Sequence, residues 1–272
     1  MPTFVDKPAT VALLRHEFGA IGDLCRSFSE EQWDVATCLP GWTVRDVLSH
    51  IIGTESMLCG DPTPTVDISH LDHMRNPIAE GNEVWVESMR SLGGDEMRAR
   101  FADATGRRLE ALDAMTQADF DAPSWTPAGR DETYGRFMRI RHYDCFLHEL
   151  DIRYALSLPP RVEVDDLRSA TDEVATGLGY IVGRRAAMPT GSRIRFDLTG
   201  PLPRTYLVQV DERAALVDSF DQPLTVGLEL PLVLFLRLTG GRDDGTDLVG
   251  EIDVTGDRRL AEQLVANLAF TI

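Results

Sequence analysis

Apolar residues recur every three to four positions along the first 157 residues, which is the spacing of helices that bury one face. The predicted helices cover about 10–28, 44–58, 77–92, 95–116 and 132–156. Thr43 with Asp46 is a capping signal at the start of the second of these helices. Four substantial helices with one interrupted crossover predict an antiparallel four-helix bundle, whose ligand sites lie between facing helices.

The pattern changes at Pro159 and Pro160, because a proline pair cannot continue a helix. A predicted helix over about 164–185 leads into 193–198, where apolar and polar residues alternate as in a half-buried strand. Further strands are predicted at 206–210, 215–217, 224–226 and 251–254, and further helices at about 231–238 and 257–269. We therefore expect a two-domain α+β protein, with a helical bundle over 1–158 and an α+β domain with an antiparallel sheet over 161–272.

Charge narrows the range of partners. The 272 residues include 44 Asp and Glu against 27 Lys and Arg, so the formal net charge is −17. This excess disfavours nucleic acid and anionic membrane surfaces, which leaves small molecules as the expected partners. Lys7 is the only lysine and lies near the N-terminus, so we discard Schiff-base chemistry.

Targeting and redox signals favour the cytoplasm. The N-terminal residues lack the basic and then apolar profile of a signal peptide, and the longest apolar stretch, 230–236, is far too short to span a bilayer. The cysteines are scattered without the paired spacing of a disulfide framework or a cysteine-rich zinc site. We expect a soluble protein of the reducing cytoplasm.

The most informative residues lie on the predicted helix 132–156. Asp144 precedes His148 by four positions, so the two side chains point the same way from adjacent turns. Burying such a pair is costly unless it is neutralised or binds a metal. His50 adjoins the apolar face of the second helix and is the candidate for a third ligand. Two imidazoles and one carboxylate leave coordination positions open, as catalytic metal sites do.

Structural roles compete with this interpretation. A core histidine at position 50 and an ordinary Asp144–His148 ion pair would produce the same pattern. The other histidines are weaker candidates because they face away, lie outside the main apolar row or belong to a polar loop: His142, His16, and His70 with His73. No phosphate-binding glycine loop and no Gly-x-Ser-x-Gly elbow supports a nucleotide-binding or esterase function.

Two segments resemble a known family. Residues 39–50, LPGWTVRDVLSH, resemble the signature of DinB-like metal-binding four-helix bundles and, more closely, of the mycothiol-dependent maleylpyruvate isomerase family. Residues 144–153, DCFLHELDIR, resemble that family's carboxylate-x-x-x-His segment. The resemblance implies that His50, Asp144 and His148 are metal ligands. It also implies a C-terminal domain similar to sterol-carrier folds, with an arginine near the active site.

The family resemblance also implies cofactors. The expected metal is zinc, which suits imidazole and carboxylate ligands, and the expected thiol cosubstrate is mycothiol. The arginine that would hold a substrate carboxylate is Arg242, or Arg237 as the second choice. Asp151 is a candidate for orienting His148. The family's isomerase has Glu where this chain has Asp144, so the metal has to lie closer to the helix or be held differently.

Three functions are compatible with the sequence. The first is a metal- and mycothiol-dependent isomerase or thiol transferase that acts on a small, carboxylate-bearing electrophile. The second is a metal-dependent hydrolase with bound water as nucleophile. The third is a non-enzymatic protein that binds an apolar ligand. The preference for Arg over Lys is compatible with a GC-rich actinobacterial genome, and actinobacteria make mycothiol.

Overall fold

A computed structural model describes residues 2–71, 74, 76–242 and 250–271 of the chain. The chain divides into two compact units, the first extending to Arg161 and the second comprising Val162–Thr271. Helices dominate the first unit, whereas the second combines helices with a five-stranded sheet. This composition confirms the predicted α+β fold class.

Four long helices of the first unit form a bundle. The described helices of this unit are α1 (Lys7–Cys25), α2 (Glu30–Trp33), α3 (Val44–Leu58), α4 (Pro77–Met89), α5 (Gly94–Ala114), α6 (Gln117–Asp121) and α7 (Tyr134–Ala155). Helix α1 contacts α5 and α7, and α3 contacts the same two helices from the other side. Helix α4 packs against α3. This arrangement places α3 beside α7, the two helices that carry the predicted ligands.

The bundle core is formed by the apolar faces that the sequence pattern predicts. The stripes of α1 and α3 are buried throughout: Val11, Leu14, Phe18, Ile21, Cys25, Val44, Val47, Leu48, Ile51 and Ile52. Side-chain caps fix where the helices begin. Thr43 and Asp46 form the predicted capping box at the start of α3, and Thr133 caps α7 by accepting from the Arg136 amide. The position of the predicted ligands along both helices is therefore set by local sequence.

A short hairpin precedes α7 and was not predicted. Strands β1 (Pro123–Thr126) and β2 (Gly129–Thr133) pair antiparallel. Most residues of both strands are exposed or partly exposed, so no alternation of buried and exposed side chains marks them in the sequence. Helix α1 also begins three residues earlier than predicted, because Asp6 caps it and Pro8 fits its first turn.

The second unit is built on one sheet with the strand order β5-β4-β3-β6-β7. Its described elements are α8 (Val164–Tyr180), a π-helical turn (Ile181–Arg185), β3 (Arg193–Thr199), β4 (Arg204–Val210), β5 (Ala214–Leu216), β6 (Val226–Pro231), α9 (Leu232–Thr239), β7 (Asp253–Gly256) and α10 (Arg258–Val265). Three of the four strand pairs are antiparallel, whereas β3 and β6 run parallel. The chain leaves β3 through β4 and β5 and returns on the other side of β3, which produces this parallel pair.

One face of the sheet is covered by helices α8, α9 and α10, which contact its strands. On β3, Ile194, Phe196 and Leu198 are buried and alternate with partly exposed residues. Phe196 packs against Phe235 of α9, with 5.7 Å between the ring centroids. Helix α9 ends before Gly240 and Gly241, as the sequence predicts. Within the described ranges, no helix has both the length and the apolarity required to cross a membrane.

The contact between α3 and α4 is close enough to require glycine at position 53. A Cβ atom there would lie 2.4 Å from the Cβ of Trp85. We predict that Gly53→Ala lowers the free energy of unfolding by about 1–3 kcal/mol, because Trp85 has to shift. Gly19→Ala on α1 is the matched control, since no atom lies within 4 Å of its added Cβ. This control should gain about 0.5–1 kcal/mol in denaturant unfolding. Equal effects of the two substitutions would contradict the close packing.

Candidate metal centre

His50, Asp144 and His148 come together between α3 and α7. The Nε2 atom of His50 lies 3.1 Å from Asp144 Oδ2, and the Nε2 atom of His148 lies 3.5 Å from Asp144 Oδ1. The two imidazole rings are 4.9 Å apart between centroids. Both histidines are buried, whereas 33% of the Asp144 side-chain surface is exposed, so solutes can reach the cluster. We call these three residues the triad.

The donor set of the triad fits a divalent metal. One ligand atom from each residue lies within 4.8 Å of the others. Bonds of about 2.0–2.1 Å in a tetrahedral zinc site place neighbouring ligand atoms about 3.3 Å apart. The observed contacts of 3.1 and 3.5 Å lie on either side of this value. The contacts of both histidines with Asp144 are therefore close to the ligand spacing of such a site.

His148 contacts a second carboxylate on its other nitrogen. Its Nδ1 atom lies 3.1 Å from Asp151 Oδ2, and the Asp151 side chain is fully buried. A neutral imidazole has a single N–H group, so it can donate to Asp151 or to Asp144 but not to both. A ring that donates from Nδ1 to Asp151 leaves Nε2 free to bind a metal ion. Carboxylates that accept from the outer nitrogen of a metal-binding histidine are the rule in proteins.

The indole ring of Trp42 lies against both imidazoles of the triad. Its ring centroid is 5.4 Å from that of His50 and 6.1 Å from that of His148. The Trp42 Nε1–H group donates to Glu83 Oε2 of α4 over 2.9 Å, and Arg90 binds the other oxygen of Glu83 over 2.6 Å. Trp42 is therefore fixed at both its apolar and its polar edge.

The surroundings of the triad set the charge of its members. Burial lowers the pKa of His50, because the desolvated ring favours its neutral form more strongly than Asp144 favours the charged form. Burial also opposes ionisation of Asp144, but the charges of His148, Arg141 and His50 outweigh it and hold the pKa of this carboxyl well below its usual range. At neutral pH His50 is neutral and Asp144 is ionised, which are their metal-binding forms.

A buried chain of charges leads from the triad into the bundle. Arg141 Nη1 donates to Asp144 Oδ2 over 2.6 Å, and Arg141 Nε and Nη2 donate to Glu55 Oε1 over 3.0 and 2.7 Å. The other oxygen of Glu55 lies 3.3 Å from Nε of Arg108 on α5. The positive charges of Arg141 and Arg108 balance the negative charges of Asp144 and Glu55, which is a condition for burying these side chains.

The two arginines predicted to act in catalysis lie in the second unit. Arg237 is buried on α9. Arg242 is partly buried just after that helix, where its Nη1 donates to the Gly240 carbonyl over 2.6 Å. Their role in the site stays a prediction.

None of the other histidines that the structure describes belongs to the triad's group of ligand atoms. His142 is buried and stacks on Phe146 with 6.4 Å between ring centroids, and His16 Nε2 lies 3.1 Å from Arg161 Nη1. His70 is exposed, and His73 lies outside the described residues.

A separate cleft of about 370 Å³ lies between α3, α4 and α5. Its walls include Ile52, Trp85, Met89 and Arg107, and Arg107 is bound to Asp61 by two hydrogen bonds of 2.9 and 2.6 Å. None of the residues that line this cleft belongs to the triad.

The sequence pattern predicts Asp151 beside His148. It does not predict three residues that contact the triad or the side chains around it, namely Glu55, Trp42 and Glu83. The role of Glu55 was missed because a lone acidic residue on a helix is usually solvated. The roles of Trp42 and Glu83 were missed because these residues contact each other across 41 positions of the chain. The charges at positions 141 and 144, three apart on one helix, were the available signal for a buried ion pair.

Two family models match the chain. Residues 14–153 match the model described as mycothiol maleylpyruvate isomerase N-terminal domain, and residues 168–263 match the model of the C-terminal domain of the same family. No curated protein matches the chain in a sequence search.

Two similar solved structures agree with these matches. They are a mycothiol-dependent maleylpyruvate isomerase and a variant of it with one histidine replaced by alanine. The identities are 15% and 14%, and each comparison has a TM-score of 0.61 and covers 94% of this chain and 96% of the other. At these identities the likeness shows a shared fold. The matches to both domain models, which together span most of the sequence, show that the chain belongs to the mycothiol maleylpyruvate isomerase family.

Proposed function

We propose that this protein is a metal- and mycothiol-dependent enzyme that acts on a small electrophile as an isomerase or a thiol transferase. The observation that carries the proposal is the triad of His50, Asp144 and His148, whose donor atoms lie within 4.8 Å of one another. Family membership supplies the thiol and the first substrate to test, because the two similar structures are those of a mycothiol-dependent maleylpyruvate isomerase.

Zinc is the metal we propose for the triad. Two imidazoles and a carboxylate suit zinc, and the reaction involves no change of redox state. A zinc ion with an open coordination position lowers the pKa of a bound thiol and so provides a thiolate at neutral pH. The exposed part of Asp144 marks the side from which mycothiol would enter.

Residues around the triad prepare it for this chemistry. Asp151 lies 3.1 Å from Nδ1 of His148, and a hydrogen bond from an Nδ1–H group to this carboxylate would leave Nε2 unprotonated and directed at Asp144. Trp42 covers the two imidazoles and keeps water from that side. Burial favours the neutral form of His50, whose single proton has to reside on Nδ1 for Nε2 to bind a metal ion.

The substrate would react with the thiolate through a conjugated double bond. Addition of the thiolate turns this double bond into a single bond that can rotate, and elimination restores the thiol and the double bond. An enzyme that stops at the adduct is a transferase. Because the net charge of −17 repels carboxylates, binding of an anionic substrate depends on placed cations, and Arg242 or Arg237 is proposed for that role.

Metal content gives the first test. We predict that the purified protein holds about one zinc ion per chain and that His50→Ala and Asp144→Asn lose it, because three ligands are needed for tight binding. His70→Ala, an exposed histidine in the same unit, is the control and should keep its zinc. Elemental analysis measures the stoichiometry. A wild-type protein without metal after growth with zinc would refute the proposed site.

The reaction itself gives the second test. We predict that zinc-loaded protein isomerises maleylpyruvate only when mycothiol is present and that His148→Ala reduces the rate by at least about 100-fold. Product analysis by NMR separates the alternatives. A stable thiol adduct would identify a transferase. Turnover without thiol would favour a hydrolase, and no turnover of any electrophile would favour a binding protein.

Arginine substitutions test the proposed carboxylate contact. We predict that Arg242→Gln raises KM by about 10- to 100-fold with little change in kcat, as expected for the loss of a hydrogen bond between charged groups. Arg258→Gln on α10 is the control, since that side chain is 75% exposed. If KM stays at the wild-type value in Arg242→Gln and rises in Arg237→Gln, the role belongs to Arg237. Unchanged KM in both variants would exclude the two residues.

A further inference from the structure

Asp144 is the one triad member with substantial exposed surface, yet it is firmly held. Its Oδ2 atom accepts from Arg141 Nη1 over 2.6 Å and lies 3.1 Å from His50 Nε2. A free aspartate on a helix surface populates several side-chain rotamers, and fixing one of them costs conformational entropy. The contact with Arg141 selects the rotamer in which the carboxylate faces both histidines.

Arg141 is itself fixed from the opposite side. Its Nε and Nη2 atoms both donate to Glu55 Oε1, so the plane of the guanidinium is set by two hydrogen bonds. The planar fork then leaves Nη1 directed at Asp144. Both Arg141 and Glu55 are buried, and Nη2 of Arg141 also lies 3.5 Å from Cys145 Sγ.

Glu55 is held in turn by a second arginine. Arg108 on α5 lies 3.3 Å from Glu55 Oε2, donates from Nη2 to the hydroxyl of Tyr134 and contacts Met138 Sδ. Buried charges that are paired in a network have little freedom to rearrange, because any single displacement leaves a charge without a partner. Through this network, contacts with the packed helices of the bundle restrict the movement of the Asp144 carboxylate.

We propose that Arg141, fixed by Glu55, is a positioning residue that holds Asp144 in its metal-binding orientation before the metal arrives. The inference rests on the proposed metal site and adds a role for residues that are not ligands. A rigid carboxylate removes an ordering cost from metal binding, so loss of the Arg141 fork weakens the affinity even when the three ligands are intact.

The test is the Zn²⁺ affinity of Arg141→Lys, measured by competition with a chromophoric chelator. Lysine keeps the positive charge beside Glu55 but lacks the planar fork. We expect the affinity to fall by about 10–100-fold, the usual effect of altering a group that orients a metal ligand. The visible spectrum of the Co²⁺-loaded protein should also change, because it reports the ligand geometry rather than the stability of the fold.

Arg153→Lys is the matched control. Arg153 lies on the same helix and its Nε donates over 2.7 Å to Glu149, a fully buried carboxylate, but its described contacts include no triad member. This variant should keep wild-type Zn²⁺ affinity. Wild-type affinity and an unchanged Co²⁺ spectrum in Arg141→Lys would overturn the proposal, since the arginine would then serve only to neutralise Glu55.

The outcomes separate this inference from the proposed function. If the wild-type protein binds Zn²⁺ and His50→Ala does not, the metal site stands, and Arg141→Lys alone decides the positioning role. If the wild-type protein binds no Zn²⁺, both proposals fail. Should Arg141→Lys not fold, crystal structures of the wild-type protein with and without Zn²⁺ decide the matter. The proposal requires the same Asp144 and Arg141 conformers in both, and an Asp144 that turns away from Arg141 without zinc would overturn it.

Discussion

One carboxylate organises the candidate site. Asp144 is contacted by His50 from α3 and by His148 and Arg141 from its own helix, so the two helices are tied together at this point. Burying two imidazoles, an arginine and this carboxylate is tolerable only because the charged groups among them are paired. Asp151 contacts the outer nitrogen of His148, and Glu55 accepts hydrogen bonds from the far side of the Arg141 guanidinium. The geometry of the triad thus depends on a network larger than its ligands.

The helical bundle makes this network possible. Apolar residues of α1 and α3 form a continuous core, and the residues of the triad lie where α3 faces α7. Helix starts are fixed by Thr43 and Thr133, so His50 and Asp144 meet at the same level of the bundle. Chemistry in such folds comes from side chains of facing helices, and exchange of single residues can change the reaction without changing the fold.

The sequence predicts whatever depends on local pattern. The apolar stripes locate α1 and α3, and the four-residue spacing of Asp144 and His148 places both side chains on one side of α7. It does not reveal Glu55 or Trp42, because their partners at positions 141 and 83 are distant in the chain. Likewise, the parallel pairing of β3 with β6 follows from the path of the chain and not from alternation within either strand. Helices and side-chain spacing within a helix can be predicted from the sequence, whereas the pairing of charges and strands that are distant in the chain cannot be predicted from local patterns.

We propose that the triad holds a zinc ion and that this ion binds a thiol. X-ray absorption at the zinc edge tests it directly, because scattering distances distinguish nitrogen and oxygen from sulfur. The account predicts only nitrogen and oxygen neighbours at about 2.0–2.1 Å in the purified protein, and one sulfur neighbour at about 2.3 Å after addition of mycothiol. A zinc environment that gains no sulfur, or that keeps its nitrogen neighbours when both His50 and His148 are replaced by alanine, would contradict the account.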